Sequence, residues 1–194
     1  MARPREHDER AAREGAVEAF LRTGYAATSL TMLEQATGLD RRQLYNQHAS
    51  KRGVFLQALG DFTDRAAARF LGKLEAPSAD LQAIRDTLHD MVDVADTEAG
   101  RLGCLVCNTA REPIAQQDAA IGEVVERYFA RIERAYANAL RGAGRSKQID
   151  PATDRRRTAR HLLAIHVALC VMSRAGASAE TLRDVADGAL ASLR

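Results

Sequence analysis

The sequence predicts an all-α fold, and three observations carry that prediction. Hydrophobic residues make up 46% of the 194 positions, with many alanines and leucines, which are strong helix formers. Aromatics are only 5% and prolines only four, against the aromatic and β-branched content that strand-rich domains draw on. Apolar residues also recur at three- and four-residue spacing through most of the chain, as one buried helix face requires. About nine helices are expected, divided between a small N-terminal domain over 1–52 and a larger helical domain over 53–194.

The first helix is expected over about 8–23, with Ala12, Ala16, Ala19 and Phe20 on one face and Gly24 just past its end as a cap. Thr28 and Ser29 are N-cap candidates for a two-turn helix that turns Leu30, Leu33 and Ala36 inward and stops at Gly38. Asp40 then caps a third helix over 41–47, where an acid also suits the helix dipole; Leu44 faces the core and Tyr45 looks buried in the local pattern. Ser50 opens a longer fourth helix, with Val54, Phe55, Ala58, Leu59 and Phe62 at helical spacing, which residues 72–77 interrupt.

A fifth helix follows Ser78, with Leu81, Ile84, Leu88, Met91, Val92 and Ala95 as a continuous apolar stripe, and "TEAGRLG" breaks it. A short sixth carries "CLVCNTARE" before Pro113. The long seventh presents Ile121, Val124, Val125, Tyr128, Ile132, Ala135 and Ala139 and ends at "RGAGRSKQID", read as a polar, mobile loop. The eighth, over about 151–175, is apolar nearly all round across "LLAIHVALCVM" and needs partners on several sides. The last, over about 179–193, repeats Leu182, Val185, Ala186, Ala189, Leu190 and Leu193, a stripe suited to pairing with another chain.

Formal charge is +2, from 28 Lys+Arg against 26 Asp+Glu, so net charge announces no nucleic-acid partner. From Met1 to Phe55 there are nine Lys+Arg and seven Asp+Glu, so this segment carries the whole excess. No basic start leads into an apolar run, and no stretch approaches the roughly 18 apolar residues of a membrane span, so a soluble cytoplasmic protein is expected. Three cysteines, an odd number, do not form a disulfide framework.

Two short helices joined by "TGL", with a supporting helix before and a long one after, have the dimensions of a helix-turn-helix. Arg41, Arg42 and Gln43 stand at the N-terminal end of the second short helix, the part such motifs insert among base edges. Arginine pairs with guanine and glutamine with adenine in bidentate fashion, whereas Tyr45, Thr28 and Lys51 suit phosphate oxygens. Spacing alone also fits a plain helical hairpin whose arginines are a solvated cap.

The stretch "GAVEAFLRTGYAATSLTMLEQATGLDRRQLYNQHASKRGVFLQAL", residues 15–59, resembles the DNA-binding domain of the TetR family of transcription regulators. The match is long and gapless. It includes "GY", two residues, then "TS" and an apolar residue; the "A-x-x-G" turn; the "LY" of the third helix; and the "SK" opening the fourth. By that resemblance Arg41, Arg42, Gln43, Tyr45 and Asn46 occupy DNA-touching positions, and Thr28 and Lys51 occupy backbone-contacting ones. Ser29 is read as a cap alone. The departure is His48, where the family usually has phenylalanine; a histidine there must find a partner or stay partly exposed, and a packing role is preferred to a DNA contact.

The remainder resembles the family more loosely. "GCLVCNTARE" is similar to a glycine-cysteine motif of one subset, and "CVMSRAGASAETLRDVADGALASL" to that subset's closing helices. The resemblance implies a ligand-responsive domain and a homodimer formed through the last two helices, with two recognition helices about 34–36 Å apart on double-stranded, near-palindromic operator DNA. It further implies a repressor released by a small molecule of unidentified kind, seated among the fifth to eighth helices. Leu88, His89, Met91, Val92, Cys104, Leu105, Arg111, Tyr128, Ile132 and His166 are the pocket candidates, although each apolar one also suits an ordinary core.

Cys104 and Cys107 lie at i and i+3, on one helix face, and Cys170 approaches if the eighth helix packs there, so a thiol-based redox or electrophile sensor is the alternative reading. His166 and Cys170 at i and i+4 have metal-ligand spacing, but no second pair supports them, and neither a metal site nor a cofactor is expected. A helical-bundle enzyme is the remote alternative. A di-metal carboxylate site needs two acid-x-x-His motifs, and the chain offers one, Asp86 with His89. Phosphate-cradling glycine loops and a serine elbow are missing as well, so no enzyme activity is expected.

Overall fold

The computed structural model describes residues 3–193, with side chains from residue 9 onward. Among them are twelve helical segments and no strand: α1 (Arg3–Ala27), α2 (Leu30–Thr37), α3 (Arg41–His48), α4 (Lys51–Phe70), α5 (Gly72–Glu75), α6 (Leu81–Ala95), α7 (Glu98–Arg101), α8 (Leu105–Thr109), α9 (Ile114–Gln117), α10 (Ala119–Arg145), α11 (Arg155–Arg174) and α12 (Ala179–Ala191). All nine expected helices are present. The additional three, α5, α7 and α9, are single turns inside stretches that the sequence marks as interruptions.

Local chemistry sets the N-terminal half of this order. Ser29, not Thr28, caps α2 by accepting from Met32 N, and Gly38 closes it in the left-handed region at φ 69°, where a side chain is strained. Asp40 and Gln43 form a capping box on α3, and Ser50 accepts from Gly53 N at the start of α4. The core beneath these helices is aromatic: Phe55 meets Phe20 at 4.7 Å and Tyr25 at 4.8 Å between ring centroids. Phe20 and Phe55 are fully buried, each contributing about 1.5–3 kcal/mol of hydrophobic stabilisation.

The first helix departs from its expected end. Gly24 breaks it at φ 77°, ψ 173°, but a further turn continues to Ala27, because the Glu112 carboxylate accepts from Tyr25 N (3.1 Å) and Ala26 N (3.2 Å). Those amides would otherwise be orphan donors of a new helix start.

In the larger half, α10 runs along α11, α6 packs against both, and α12 packs against α6 and α11. Asn138 on α10 donates to the carbonyls of Leu74 and Ala76, satisfying the end of α5. The segment read as a mobile loop is partly helix: α10 continues through Gly142 to Arg145, burying Ala139, Leu140 and Ala143. A Cβ on Gly142 would lie 1.8 Å from the Ala79 carbonyl oxygen, so glycine here serves close approach rather than helix ending. The loop beyond is held by Gln148, which bonds Leu81 N and the Asp80 carboxylate, and by buried Ile149.

One expectation about the closing helices changes. Leu182, Ala186, Ala189, Leu190 and Leu193 do not form an outward stripe; they are buried within this chain, where α12 meets α6 and α11. The outward apolar row belongs to α11. Its Ala159, Leu162, His166, Leu169 and Ser173 face inward, while Ala164, Val167 and Val171 lie along the other side, with Val171 37% exposed.

Candidate functional site

The turn between α2 and α3 is built to project the start of α3. Thr37 donates to Leu33 O and accepts from Leu39 N, and buried Leu33 and Leu44 hold the two helices together. Arg41, Arg42, Gln43, Tyr45, Asn46 and Gln47 consequently lie exposed on one surface. Tyr45 is 44% exposed rather than buried, since Leu44 alone turns inward from α3. Arg41 is drawn toward Glu34 at 3.6 Å, whereas Arg42 makes no ion pair among the described residues. Gln43 accepts from Asp40 N at 2.9 Å, so its carbonyl oxygen is engaged in capping.

Two predicted contacts sit differently. Thr28 is 1% exposed, and its hydroxyl donates to Gly24 O at 2.6 Å and lies 2.6 Å from the Thr23 hydroxyl. That side chain is part of the joint below Gly24 and does not reach the surface, so the phosphate role expected for it is not available. Lys51 donates to Ala26 O at 3.2 Å with its ammonium 4.7 Å above the Tyr25 ring. Burial lowers its pKa, and Glu112 opposes that effect.

His48 is half-buried at the end of α3, with its pKa lowered by burial and by Arg13, while Asp61 opposes. Its charged neighbours are Arg13 and Asp61. The Gly53 backbone lies against the His48 main chain, so near that a Cβ there would lie 1.9 Å from the His48 carbonyl oxygen.

Behind this surface lies a cavity of about 340 Å³ bounded by α1, α4, α6 and α11. Met91, Cys104, Tyr128 and His166, four of the ten candidates, line it. The other six candidates do not: Leu88, Val92, Leu105 and Ile132 are fully packed core, Arg111 is exposed, and His89 bonds Asp187 at 2.9 Å near the surface. Sequence reasoning missed the walls from α1 and α4, where Val17, Leu21, Phe62 and Phe70 contribute, and the two exposed cations Arg65 and Arg69. Their apolar periodicity signals only burial and cannot say against what.

His166 is a neutral group in this wall. Burial lowers its pKa to about 4, and its Nδ1 lies 3.2 Å from the hydroxyl of fully buried Tyr136. The three thiols converge at the same end, with the sulfurs of Cys104, Cys107 and Cys170 within 4.8 Å of one another. His166 lies outside that group. Hydrogen bonds from Cys107 and Cys170 lower the Cys104 pKa, while the same contacts with Cys104, together with burial, raise those of Cys107 and Cys170.

Three polar ties join the cavity walls to the reading surface. Glu112, just beyond α8, holds the last turn of α1. Arg174 on α11 donates to the carbonyls of Leu21 (2.9 Å) and Leu102 (2.6 Å). Arg52 at the start of α4 grips Asp118, which itself caps α10 and whose pKa Arg52 lowers. These ties connect α8, α10 and α11 to the ends of α1 and α4, and α3 packs on α4 and α2.

An exposed α3 whose N-terminal turn carries arginine and glutamine, on a supporting helix tied to a cavity-bearing bundle, defines a helix-turn-helix DNA-binding protein. Residues 81–188 match the family model for the C-terminal domain of LmrA/YxaF-like transcriptional regulators. The chain belongs to that group of the TetR family and is a transcriptional regulator. It is 29% identical to the uncharacterized HTH-type transcriptional regulator YezE of Bacillus subtilis over 194 residues, all of both chains. It is 28% identical to the HTH-type transcriptional repressor ComR of Escherichia coli over 185 residues, 95% of this chain and 88% of that one. Among solved structures, a cysteine variant of the TetR-family regulator CifR in complex with 26-bp operator DNA superposes with a TM-score of 0.84 at 22% identity, covering 94% of this chain and 95% of the other. Among the described residues no helix is long and apolar enough to cross a membrane.

Proposed function

We propose that the protein is a cytoplasmic repressor that leaves a near-palindromic operator when an apolar small molecule enters the cavity. The observation that carries this reading is that α1 and α4, which support α3, also form walls of the cavity. A ligand that favours one spacing of these walls biases the position of α3, and differential affinity for the two positions shifts the population off DNA. Base readout falls to Arg41, Arg42, Gln43 and Asn46, and phosphate contact to Tyr45 and Lys51. The outward row of α11 forms a homodimer interface with its copy, which sets two reading helices one DNA turn apart. Residues 1–52 are the reading domain and 53–194 the effector and dimerisation domain; no step requires catalysis.

A second reading is favoured by the thiols in the wall: oxidation of Cys104 and Cys107, rather than occupancy, releases the operator. One experiment addresses both. The purified full chain is used to select binders from a random 30-bp duplex library at two salt concentrations, with and without a thiol oxidant. Enrichment of a two-fold-symmetric sequence supports the operator reading, and lack of enrichment overturns it. Loss of that binding with oxidant alone favours the thiol reading over the cavity ligand.

A further inference from the structure

We propose that Cys104, Cys107 and Cys170 form a three-sulfur binding site for a soft trivalent metalloid ion, of which arsenite is the probe. The site is assembled by the fold rather than by a local motif. Cys104 caps α8, Cys107 follows one turn later, and Cys170 comes from α11, with all three sulfurs within 4.8 Å of one another. Gly103 makes the approach possible. Its φ of 75° is left-handed, and a Cβ there would lie 3.1 Å from the Arg174 Cβ and 3.3 Å from the Cys170 carbonyl oxygen. A larger residue would push the start of α8 away from α11 and separate Cys104 from Cys170.

The donor set selects the ion. Three thiol sulfurs are soft ligands that disfavour magnesium, calcium and other oxygen-seeking ions. Zinc is held tetrahedrally in nearly all structural sites, and the described residues bring no fourth ligand into the group. Trivalent arsenic keeps a lone pair and binds three sulfurs as a pyramid; bonds of about 2.3 Å at angles of about 100° set the sulfurs roughly 3.5 Å apart, a spacing that small side-chain rotations reach from here. Cys104 and Cys107 are 7% and 5% exposed, and the adjoining wall is apolar. Burying net charge in such surroundings is costly. A trivalent ion with three thiolates is neutral, whereas a monovalent soft ion leaves two negative charges.

Arsenous acid carries three hydroxyls, and the exchange balances without electron transfer. Each As–O bond is replaced by an As–S bond, and each thiol proton leaves with the hydroxyl as water. Three waters are released per ion. Access is through the cavity, since Cys104 and Cys170 line it.

The test is native mass spectrometry of the full chain, kept reduced with a phosphine, after titration with sodium arsenite, cuprous ion or zinc. One arsenic bound with loss of three hydrogens is the expected result. Cys170→Ser is expected to bind with loss of two hydrogens and at least about a hundredfold more weakly, and its helical circular dichroism checks that it folds; Cys170→Ala serves as the second variant. No arsenic bound, loss of fewer than three hydrogens in the native chain, or binding unchanged by both substitutions overturns the proposal. So does tighter three-sulfur binding of cuprous ion or zinc than of arsenite.

Discussion

Arg174, at the end of α11, donates a hydrogen bond of 2.9 Å to the backbone carbonyl of Leu21 in α1, 153 residues away in sequence. The same guanidinium bonds Leu102 O at 2.6 Å, so one side chain joins the reading half, the approach to α8 and the helix bearing Cys170. Arg174→Ala is expected to cost about 1.5–3 kcal/mol, the range for hydrogen bonds to a charged group. Denaturant unfolding measures that cost. If the tie carries the effector signal, the variant also keeps operator affinity under conditions that release the native protein.

The surface of α3 divides into roles that separate experimentally. Tyr45→Phe and Lys51→Ala are expected to weaken binding on specific and random duplex alike, with the lysine loss lowering the salt slope by about one. Gln43→Ala relaxes sequence choice and also removes one arm of the capping box, at a cost of about 1 kcal/mol to α3. Equal losses on both kinds of DNA for all three variants would contradict this division.

Thr28 provides an internal control. Because its hydroxyl is spent on Gly24 O and Thr23, Thr28→Val is expected to destabilise the fold by about 1 kcal/mol while leaving the salt slope unchanged. A slope reduced by one would restore the phosphate role.

His166 predicts an acid-side loss of stability. Its folded pKa of about 4 lies below the ordinary 6.5, so between these values the unfolded chain binds more protons than the folded one. Stability is therefore full above about pH 6.5 and falls as pH drops through that window. The total loss for this group is roughly 3 kcal/mol by pH 4. Unfolding midpoints at pH 7 and pH 5 check it: the native chain loses stability over this interval, and His166→Asn loses less.

The reading half was largely legible because its signals are local. Ser29, Gly38, Asp40 and Ser50 act within three or four residues of their partners, and Leu33 and Leu44 follow a helical period. Thr28 was misplaced because its neighbour Ser29 is an equally good cap and only the break at Gly24 decides which side chain turns inward. The cavity was less legible. Leu88, Val92 and Ile132 share the apolar spacing of Met91 and Tyr128, and periodicity distinguishes a buried face from a solvated one but not core from wall.

The sequence by itself determined the all-α class, the order of the nine main helices and the inward turn of Leu44 that leaves most of α3 exposed, since caps, glycine stops and apolar periods act over one or two turns. Only the tertiary structure decided that the stripe of α12 is spent inside the chain and that α1 and α4 wall the cavity. It alone brought Glu112 to Tyr25 and Arg174 to Leu21, and set Cys170 beside Cys104 and Cys107. These pairings join residues 63 to 153 positions apart. Helix crossings set their geometry, and no local period records them.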